Sequence, residues 1–241
     1  MSQPGDATTF ESVVDDYDAA RPTYPDGVYD ALPLAGAHVL ELGAGTGIAS
    51  VELTARAGAL VVSDVGPRML ARGLTKHASP GVLARAEQLP FRDGSFDLVC
   101  GSQMWHWTVP PAADEVSRVL RDGGLLALWW NEADAQGVWW WEAQQDRLEA
   151  GNTAYERGYR EVDYREQLAP VFAGPPPLEI PWSRTISLEL YERWLLSKSY
   201  VHRLADVDGF VAACRADLLE AFPDGQVVEP FVTRLFLLEK R

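Results

Sequence analysis

Three glycines, Gly43, Gly45 and Gly47, alternate directly after an apolar segment that contains one acid, Glu41. Glycine adopts positive φ angles without cost, and because it has no Cβ a ligand can approach its backbone closely. The spacing lacks the third glycine of a dinucleotide fingerprint, which would fall at Ile48, and the lysine of a phosphate-binding loop. A carboxylate at Glu41 is unfavourable beside a phosphate but favourable beside an ammonium group. The segment therefore predicts a site for a nucleoside with an amino-acid tail.

A strand, a tight turn and a helix are required to hold these glycines in place. The apolar alternation of residues 39–42 predicts the strand, and apolar residues at helical spacing from Ile48 predict the helix. Thr46 is placed to cap the free amides at the start of that helix. A strand, a glycine turn and a helix N-terminus together form the frame of a nucleotide site.

A second candidate is Asp64, which ends the next apolar segment, residues 60–64. It lies about twenty residues beyond the glycines, where a strand-end carboxylate can accept hydrogen bonds from both hydroxyls of a ribose. The alternative is that Asp64 caps the helix that follows it.

The segment from Ser102 to Trp107 follows the predicted strand 96–101. Ligands of parallel α/β sheets bind at the carboxyl ends of strands, so this segment is expected to face the reactive end of the ligand. His106 is the candidate general base, because the pKa of imidazole lies near neutral pH. The alternative is a packed histidine that is hydrogen-bonded to the backbone.

The stretch from Glu41 to Gly47, with an acid, any residue and three alternating glycines, resembles motif I of class I methyltransferases that use S-adenosylmethionine (SAM). In that family the loop lies under the methionine part of SAM. The segment 102–107 resembles the family's fourth motif. Residues 21–25 resemble an N-terminal element of methyltransferases similar to trans-aconitate methyltransferase, where it covers the SAM site; an arm that only packs on the surface is the alternative. The resemblance extends over nearly the whole chain, most strongly over residues 39–130.

The resemblance implies SAM as cofactor, S-adenosylhomocysteine as product and no metal. Arg85 departs from the family, which commonly has an aspartate there to accept from the adenine amino group, because arginine has no acceptor. Glu87 or backbone groups would then serve, with Ala86 and Leu89 as apolar walls. The residues expected to bind the cofactor are Tyr17, Arg21, Glu41, Gly43, Ala44, Gly45, Gly47, Asp64, Val65, Met69, Ala86, Glu87 and Ser102. Those expected at the methyl acceptor are Tyr24, Trp105, Trp107, Trp130, Trp139 and Tyr200, with His106 as the catalytic residue.

Strand and helix patterns alternate over residues 36–131, which predicts an α/β fold with parallel strands and right-handed crossovers. With two more strands near the C-terminus, we expect a Rossmann-like, seven-stranded, mainly parallel sheet with helices on both faces. The 241 residues suit one domain. We expect it to comprise an N-terminal arm (1–34), a SAM-binding core (35–131), a helical cap insertion (132–178) and a C-terminal part of core and cap (179–241).

The formal net charge of -14 and the pI near 4.7 disfavour nucleic acid as a partner, since a nucleic-acid reader needs a basic face. The two cysteines, Cys100 and Cys214, lie far apart in apolar contexts and are expected to be reduced core thiols. The N-terminus is polar, and no segment approaches the ~18 apolar residues of a membrane span. We expect a cytoplasmic monomer or homodimer with a small-molecule substrate and no membrane partner.

The expected function is SAM-dependent methylation of a small aromatic or heteroaromatic metabolite, at oxygen, nitrogen or electron-rich carbon, of the kind found in secondary metabolism. Nine tryptophans, several of them near the expected acceptor side, can wall such a ring by stacking. One alternative is a carboxyl O-methyltransferase of a small organic acid. It needs no base, because a carboxylate is already ionised, and its candidate cations are Arg21, Arg157, Arg160 and Arg184. Another alternative is a non-methylating protein of the same fold.

Overall fold

A computed structural model describes residues 21–155, 157, 162–198 and 200–241 of the chain; Tyr17 and Arg160 lie outside these ranges. The strands are β1 (His38–Leu42), β2 (Ala59–Asp64), β3 (Gly81–Leu83), β4 (Phe96–Ser102), β5 (Leu120–Ala133), β6 (Phe172–Ala173), β7 (Leu178–Ser187) and β8 (Gln226–Lys240). The helices are α1 (Asp26–Asp30), α2 (Ser50–Arg56), α3 (Pro67–Gly73), α4 (Pro111–Val119), α5 (Trp139–Gly151), α6 (Tyr164–Leu168), α7 (Leu188–Leu196) and α8 (Val207–Ala221). Short 3-10 helices cover Trp105–Trp107 and Val201–Arg203. Within the described residues, no helix is both long and apolar enough to cross a bilayer.

The strands form one sheet in the order β3-β2-β1-β4-β5-β8, with β6 and β7 both paired to β8. Strands β1 to β5 pair in parallel, and β8 is antiparallel to β5. Strand β1 lies between β2 and β4, and its last four residues are buried, as expected for a central strand covered on both faces. The strand order reverses between β1 and β4. A crevice therefore opens at the carboxyl ends of these two strands, where Gly43 and Gln103 follow.

The predicted α/β sheet is confirmed, with one strand more than expected. The seven predicted strands are all present, and Phe172–Ala173 adds an eighth. Strand β5 also begins earlier than predicted, because residues 121–124 form a bulge inside it rather than a connection before it. The pairing register shifts there: Phe96 pairs with Leu120, whereas Leu98 pairs with Leu125.

Alternate residues of the central strands pack into two separate apolar layers, one on each face of the sheet. Leu40 and Leu42 of β1 belong to one layer, and Val39 joins Cys100 and Trp129 in the other. This alternation follows from the two-residue period of side chains along a strand. Cys100 and Cys214 are both buried and free, as the sequence predicts.

A third apolar cluster forms a cap that has its own interior. Helices α5, α7 and α8 contribute its largest members, which are Trp140, Leu148, Tyr191, Trp194, Phe210 and Leu218. The cap thus combines one segment before β7 with another between β7 and β8. The predicted insertion at residues 132–178 needs correction at its end, since Tyr164, Leu168 and Phe172 pack in the layer that contains Leu40.

Candidate functional site

A cavity lies at the carboxyl ends of β1, β2 and β4, where the strand order reverses. The residues that line it come from the four loops after β1 to β4 and from the segment before α1. They are Tyr24, Leu42, Gly43, Ala44, Gly45, Thr46, Ile48, Ser63, Asp64, Val65, Met69, Ala84, Arg85, Ala86, Glu87, Ser102, Gln103, Met104, Trp107 and Thr108.

The three alternating glycines all have positive φ angles, of 59° at Gly43, 57° at Gly45 and 78° at Gly47. A Cβ at Gly43 would lie 2.8 Å from the Cβ of Met104, and one at Gly47 would lie 3.0 Å from the Cα of Gly73. At Gly45 the nearest atom would be Cε of Met69, at 3.5 Å. Gly45 therefore faces the cavity, whereas Gly47, a predicted cofactor residue, lies off its wall and allows α3 to pack against the turn.

Thr46 does not cap α2, contrary to the sequence prediction. One more turn, residues 45–49, precedes the helix, which begins at Ser50 after an N-cap residue, Ala49, that offers no side-chain hydrogen bond. The hydroxyl of Thr46 is buried and has no hydrogen-bond partner among the described residues. Thr46 also lines the cavity.

Asp64 connects the two loops that form the floor of the cavity. Its Oδ2 accepts a hydrogen bond from the amide of Gly45 at 2.7 Å, and its Oδ1 accepts one from the amide of Gly66 at 2.7 Å. The bond to Gly66 is a turn contact before α3 and does not cap that helix, whose N-cap residue is Gly66 itself. The bond to Gly45 fixes the glycine turn. A carboxylate oxygen can accept more than one hydrogen bond.

Glu41 lies behind the cavity rather than on its wall. Its side chain is fully buried, and its Oε2 accepts a hydrogen bond from the hydroxyl of Ser50 at 2.6 Å. Burial raises the pKa of Glu41 from 4.5 to about 8, although the bond from Ser50 acts to lower it. The carboxylate of Glu41 is therefore not on the cavity wall, where the predicted contact with a ligand ammonium group would require it to be.

Stability should depend on pH through Glu41. Between about pH 4.5 and pH 8 the folded state keeps a proton that the unfolded state releases, so the free energy of unfolding falls as pH rises, by at most ~1.4 kcal/mol per pH unit. Glu41→Gln removes this titration. We therefore expect the variant to gain stability relative to the original protein as the pH is raised through this window, measured by urea unfolding at several pH values.

Glu52→Gln is the matched control, because Glu52 lies on the adjacent helix with an exposed side chain paired to Arg56. Its unfolding profile should run parallel to that of the unchanged protein. A parallel profile for Glu41→Gln as well would contradict the prediction.

The loop after β3 supplies the wall opposite the glycine turn. Ala86 is buried and lines the cavity, whereas Leu89 is buried in the apolar layer behind it. Glu87 accepts a hydrogen bond from the amide of Val109 at 2.9 Å and lies 3.5 Å from the guanidinium of Arg85. The Arg85 side chain is 68% exposed, so it occupies the mouth of the cavity.

The three residues of the 3-10 helix after β4 have different surroundings. Trp105 is buried in the core, and Trp107 lines the cavity. His106, the predicted general base, is exposed and lies off the cavity wall, and its Nδ1 accepts a long hydrogen bond of 3.5 Å from Trp130. The structure therefore does not bring His106 to the position that the sequence predicted.

Two of the six residues predicted at the methyl acceptor line the cavity, Tyr24 and Trp107. Trp130 is buried and stacks on Tyr164 with ring centroids 4.4 Å apart. Trp139 is 48% exposed, and Tyr200 contacts Tyr155 within the cap. The other four predicted residues lie in the packed interior or at the surface and not on the cavity wall; they are Trp105, Trp130, Trp139 and Tyr200.

Two of the four cations suggested for a carboxylate substrate, Arg184 and Arg157, are paired with acids. Arg184 binds Glu229 at 2.6 Å, and Arg157 contacts three acids. Arg21 is half-buried and lies off the cavity wall. The described residues contain no group of three His, Cys, Asp or Glu side chains placed to hold a metal ion.

Gln103 and Met104 line the cavity but are not among the individual site residues that the sequence predicted. Both lie in the segment 102–107, which was expected to face the reactive end of the ligand because it follows a strand. The backbone at Gln103 has a φ of 54°, the one positive value of a non-glycine residue among the described residues. That feature is invisible in the sequence.

Residues 40–128 match the model of a methyltransferase domain family. An uncharacterized methyltransferase of Mycobacterium tuberculosis is 42% identical over 136 residues, which are 54% of this chain and 55% of that protein. The chain spans about half the length of the curated relatives it matches.

Solved structures share the fold over most of the chain. A type II methyltransferase from Anaeromyxobacter dehalogenans superposes with a TM-score of 0.67 at 22% identity, covering 92% of this chain and 97% of that one. A phospholethanolamine N-methyltransferase from Haemonchus contortus, in complex with phosphomonomethylethanolamine and S-adenosylhomocysteine, gives a TM-score of 0.50 at 14% identity, covering 97% and 60%. At these identities the likeness establishes a shared Rossmann-like fold.

Proposed function

We propose, from the premise that residues 40–128 are a methyltransferase domain, that this protein transfers the methyl group of SAM to a small molecule. The observation that carries the proposal is the bond from the Gly45 amide to Asp64. It joins the glycine turn and the strand-end acid into one wall at the point where the strand order reverses, which is where nucleosides bind in such sheets.

The side chains of the cavity fit the parts of SAM. Asp64 offers acceptor positions for two ribose hydroxyls, and Thr46 lines the cavity beside the glycine turn. Ala86 and Met69 supply apolar contacts for the adenosine, and Glu87 supplies an acceptor for the adenine amino group in place of the aspartate that Arg85 replaces. The Haemonchus contortus structure, which shares the fold, holds S-adenosylhomocysteine, and this supports a nucleoside of the same kind as the ligand here.

SAM supplies a methyl group that its positive sulfonium already activates. The chain has to hold the donor and the acceptor in line and exclude water. The acids Asp64 and Glu87 and the π face of Trp107 favour a cation in the cavity.

The acceptor is proposed to be a small, ring-containing molecule. Tyr24 and Trp107 line the cavity, and Tyr24 is held edge-on against the buried Trp129 with ring centroids 5.8 Å apart. Aromatic side chains of this kind bind flat rings by offset or edge contacts. A carboxylate acceptor is less well supported, because Arg184 and Arg157 are committed to acids.

No general base is assigned in this proposal. His106 is exposed and lies off the cavity wall, where its Nδ1 accepts a long hydrogen bond from Trp130. A hydroxyl or amine that has received the methyl group can release its proton to solvent after the transfer.

The test is a calorimetric titration with SAM and S-adenosylhomocysteine, followed by incubation with methyl-labelled SAM and a panel of small phenols, amines and carboxylic acids. We expect both nucleosides to bind and S-adenosylhomocysteine to be formed with the label on an acceptor. NAD is the matched control and should not bind, since the turn lacks the third glycine at Ile48. Absence of binding by both SAM and S-adenosylhomocysteine would refute the proposal.

A further inference from the structure

Gln103 occupies the position of greatest backbone strain on the cavity wall. It follows β4 directly, lines the cavity and has a φ of 54°. A residue with a Cβ in this region costs about 1 to 2 kcal/mol relative to an ordinary conformation, and such residues concentrate at functional positions. Glycine or asparagine would adopt the same backbone at lower cost. Glutamine at this position therefore needs a compensating role for its side chain.

The side-chain amide of Gln103 is held in one orientation. Its Nε2 donates a hydrogen bond to the backbone carbonyl of Asn131 at 3.3 Å, and its own backbone amide donates to the carbonyl of Trp129 at 2.9 Å. A carbonyl only accepts, so the nitrogen of the amide must face Asn131. The oxygen Oε1 is then the polar atom that Gln103 offers to a ligand, and no described residue donates a hydrogen bond to it.

The anchor on Asn131 is itself fixed from two sides. Its Nδ2 donates to the carbonyl of Thr23 at 2.9 Å, and its Oδ1 accepts from the hydroxyl of Thr233 at 2.6 Å. The indole of Trp182 donates to that same hydroxyl at 2.8 Å. Each group along this path has its partner, so the carbonyl that orients Gln103 is rigidly placed.

The oxygen of Gln103 favours an acceptor molecule that has a proton to donate. Asp64 and Glu87 are assigned above to the adenosine of SAM, and the single lining cation in the described part, Arg85, is exposed and lies beside Glu87. A carboxylate substrate would meet an oxygen acceptor at Gln103, and it has no proton to donate at neutral pH. A phenol, an alcohol or an amine can donate to that oxygen.

We propose that Gln103 determines acceptor specificity: its Oε1 accepts a hydrogen bond from the O–H or N–H group that receives the methyl group. This deepens the function proposed above and rests on it. The substrate class is a hydroxyl- or amine-bearing small molecule rather than a carboxylic acid.

The methyl carbon forms its new bond to a lone pair of the acceptor oxygen or nitrogen. The bond from that carbon to sulfur breaks with its electron pair passing to sulfur, and the acceptor's proton leaves to water. Before the transfer, Oε1 of Gln103 accepts a hydrogen bond from this proton. The bond orients the acceptor so that the lone pair on its opposite side points at the methyl carbon. Gln103 does not take the proton itself.

The experiment compares phenol, aniline and benzoate as probes of the S-adenosylhomocysteine complex, with dissociation constants from ligand-observed NMR. We expect phenol and aniline to bind at least about fivefold more tightly than benzoate, which corresponds to one net hydrogen bond. Gln103→Met keeps the length and the backbone strain but removes the amide, and it should abolish this preference. Gln103→Asn relieves the strain and withdraws the oxygen by one methylene, so it should remain folded and also lose the preference.

Gln88→Met is the matched control, because Gln88 is exposed and outside the cavity wall, and it should keep the preference. Benzoate that binds the unchanged protein as well as phenol, probes that fail to bind at all, or a preference that survives in Gln103→Asn would each overturn the inference. Failure of S-adenosylhomocysteine to bind the unchanged protein would instead overturn the proposed function, so the two failures are distinct.

Discussion

Asp64→Ala should weaken SAM binding by at least about a hundredfold in a calorimetric titration, the largest loss of affinity expected from one side chain. Hydrogen bonds to a charged group contribute about 1.5 to 3 kcal/mol each, and the variant would lose those proposed to the two ribose hydroxyls. It also leaves the amides of Gly45 and Gly66 without the carboxylate that fixes them. The glycine turn would therefore be less well ordered before SAM arrives.

Asp64→Asn keeps the shape of the side chain but removes its charge and one of its two acceptor oxygens. The amide has one oxygen for the two backbone donors, so its nitrogen would face either Gly45 or Gly66. We expect this variant to bind SAM weakly as well. Asp122→Ala is the control, because the Asp122 side chain is fully exposed and only contacts Lys240. Binding by Asp64→Ala as tight as that of the control would contradict the role of Asp64.

Gly47→Ala should lower the free energy of unfolding by about 2 to 4 kcal/mol, measured by urea unfolding. Two causes add. The φ of 78° costs a residue with a Cβ about 1 to 2 kcal/mol, and the new methyl group would lie 3.0 Å from the Cα and 3.3 Å from the carbonyl oxygen of Gly73. Backbone atoms cannot turn aside as a flexible side chain can, so α3 has to shift away from the turn.

Gly123→Ala is the matched control for this prediction. Gly123 has a φ of 70°, close to that of Gly47, but a Cβ there would have no atom within 4 Å. The control should therefore report the backbone cost alone, about 1 to 2 kcal/mol. Equal losses in the two variants would show that Gly73 accommodates the methyl group and would contradict the packing role of Gly47.

The local structure around the cavity could be predicted because it is encoded by local patterns. Val39 to Gly47 and the strand ending at Asp64 are specified by apolar runs and by residues with restricted or unusual backbone preferences. Gly43, Gly45 and Asp64 all line the cavity, and their binding of a cofactor stays a prediction. The error at Thr46 is also local, since an additional turn before Ser50 could not be distinguished from the first turn of the helix.

The acceptor side could not be predicted in the same way, because its residues depend on contacts between distant segments. Trp129 and Trp130 are neighbours in β5, yet they pack into opposite layers of the sheet, and neither lines the cavity. The sequence of an apolar strand does not show whether a tryptophan in it faces the core or a ligand. The orientation of Gln103 likewise depends on Asn131, which is 28 residues away.

The closed interior of the cap separates its packing from that of the cavity. Its apolar contacts join helices α5, α7 and α8 to one another, and few of its members belong to the strands that hold the glycine turn. The residues that match the domain family end at residue 128, before these helices begin. A substitution inside the cap should therefore change the packing of its three helices without altering the loops proposed to hold the nucleoside.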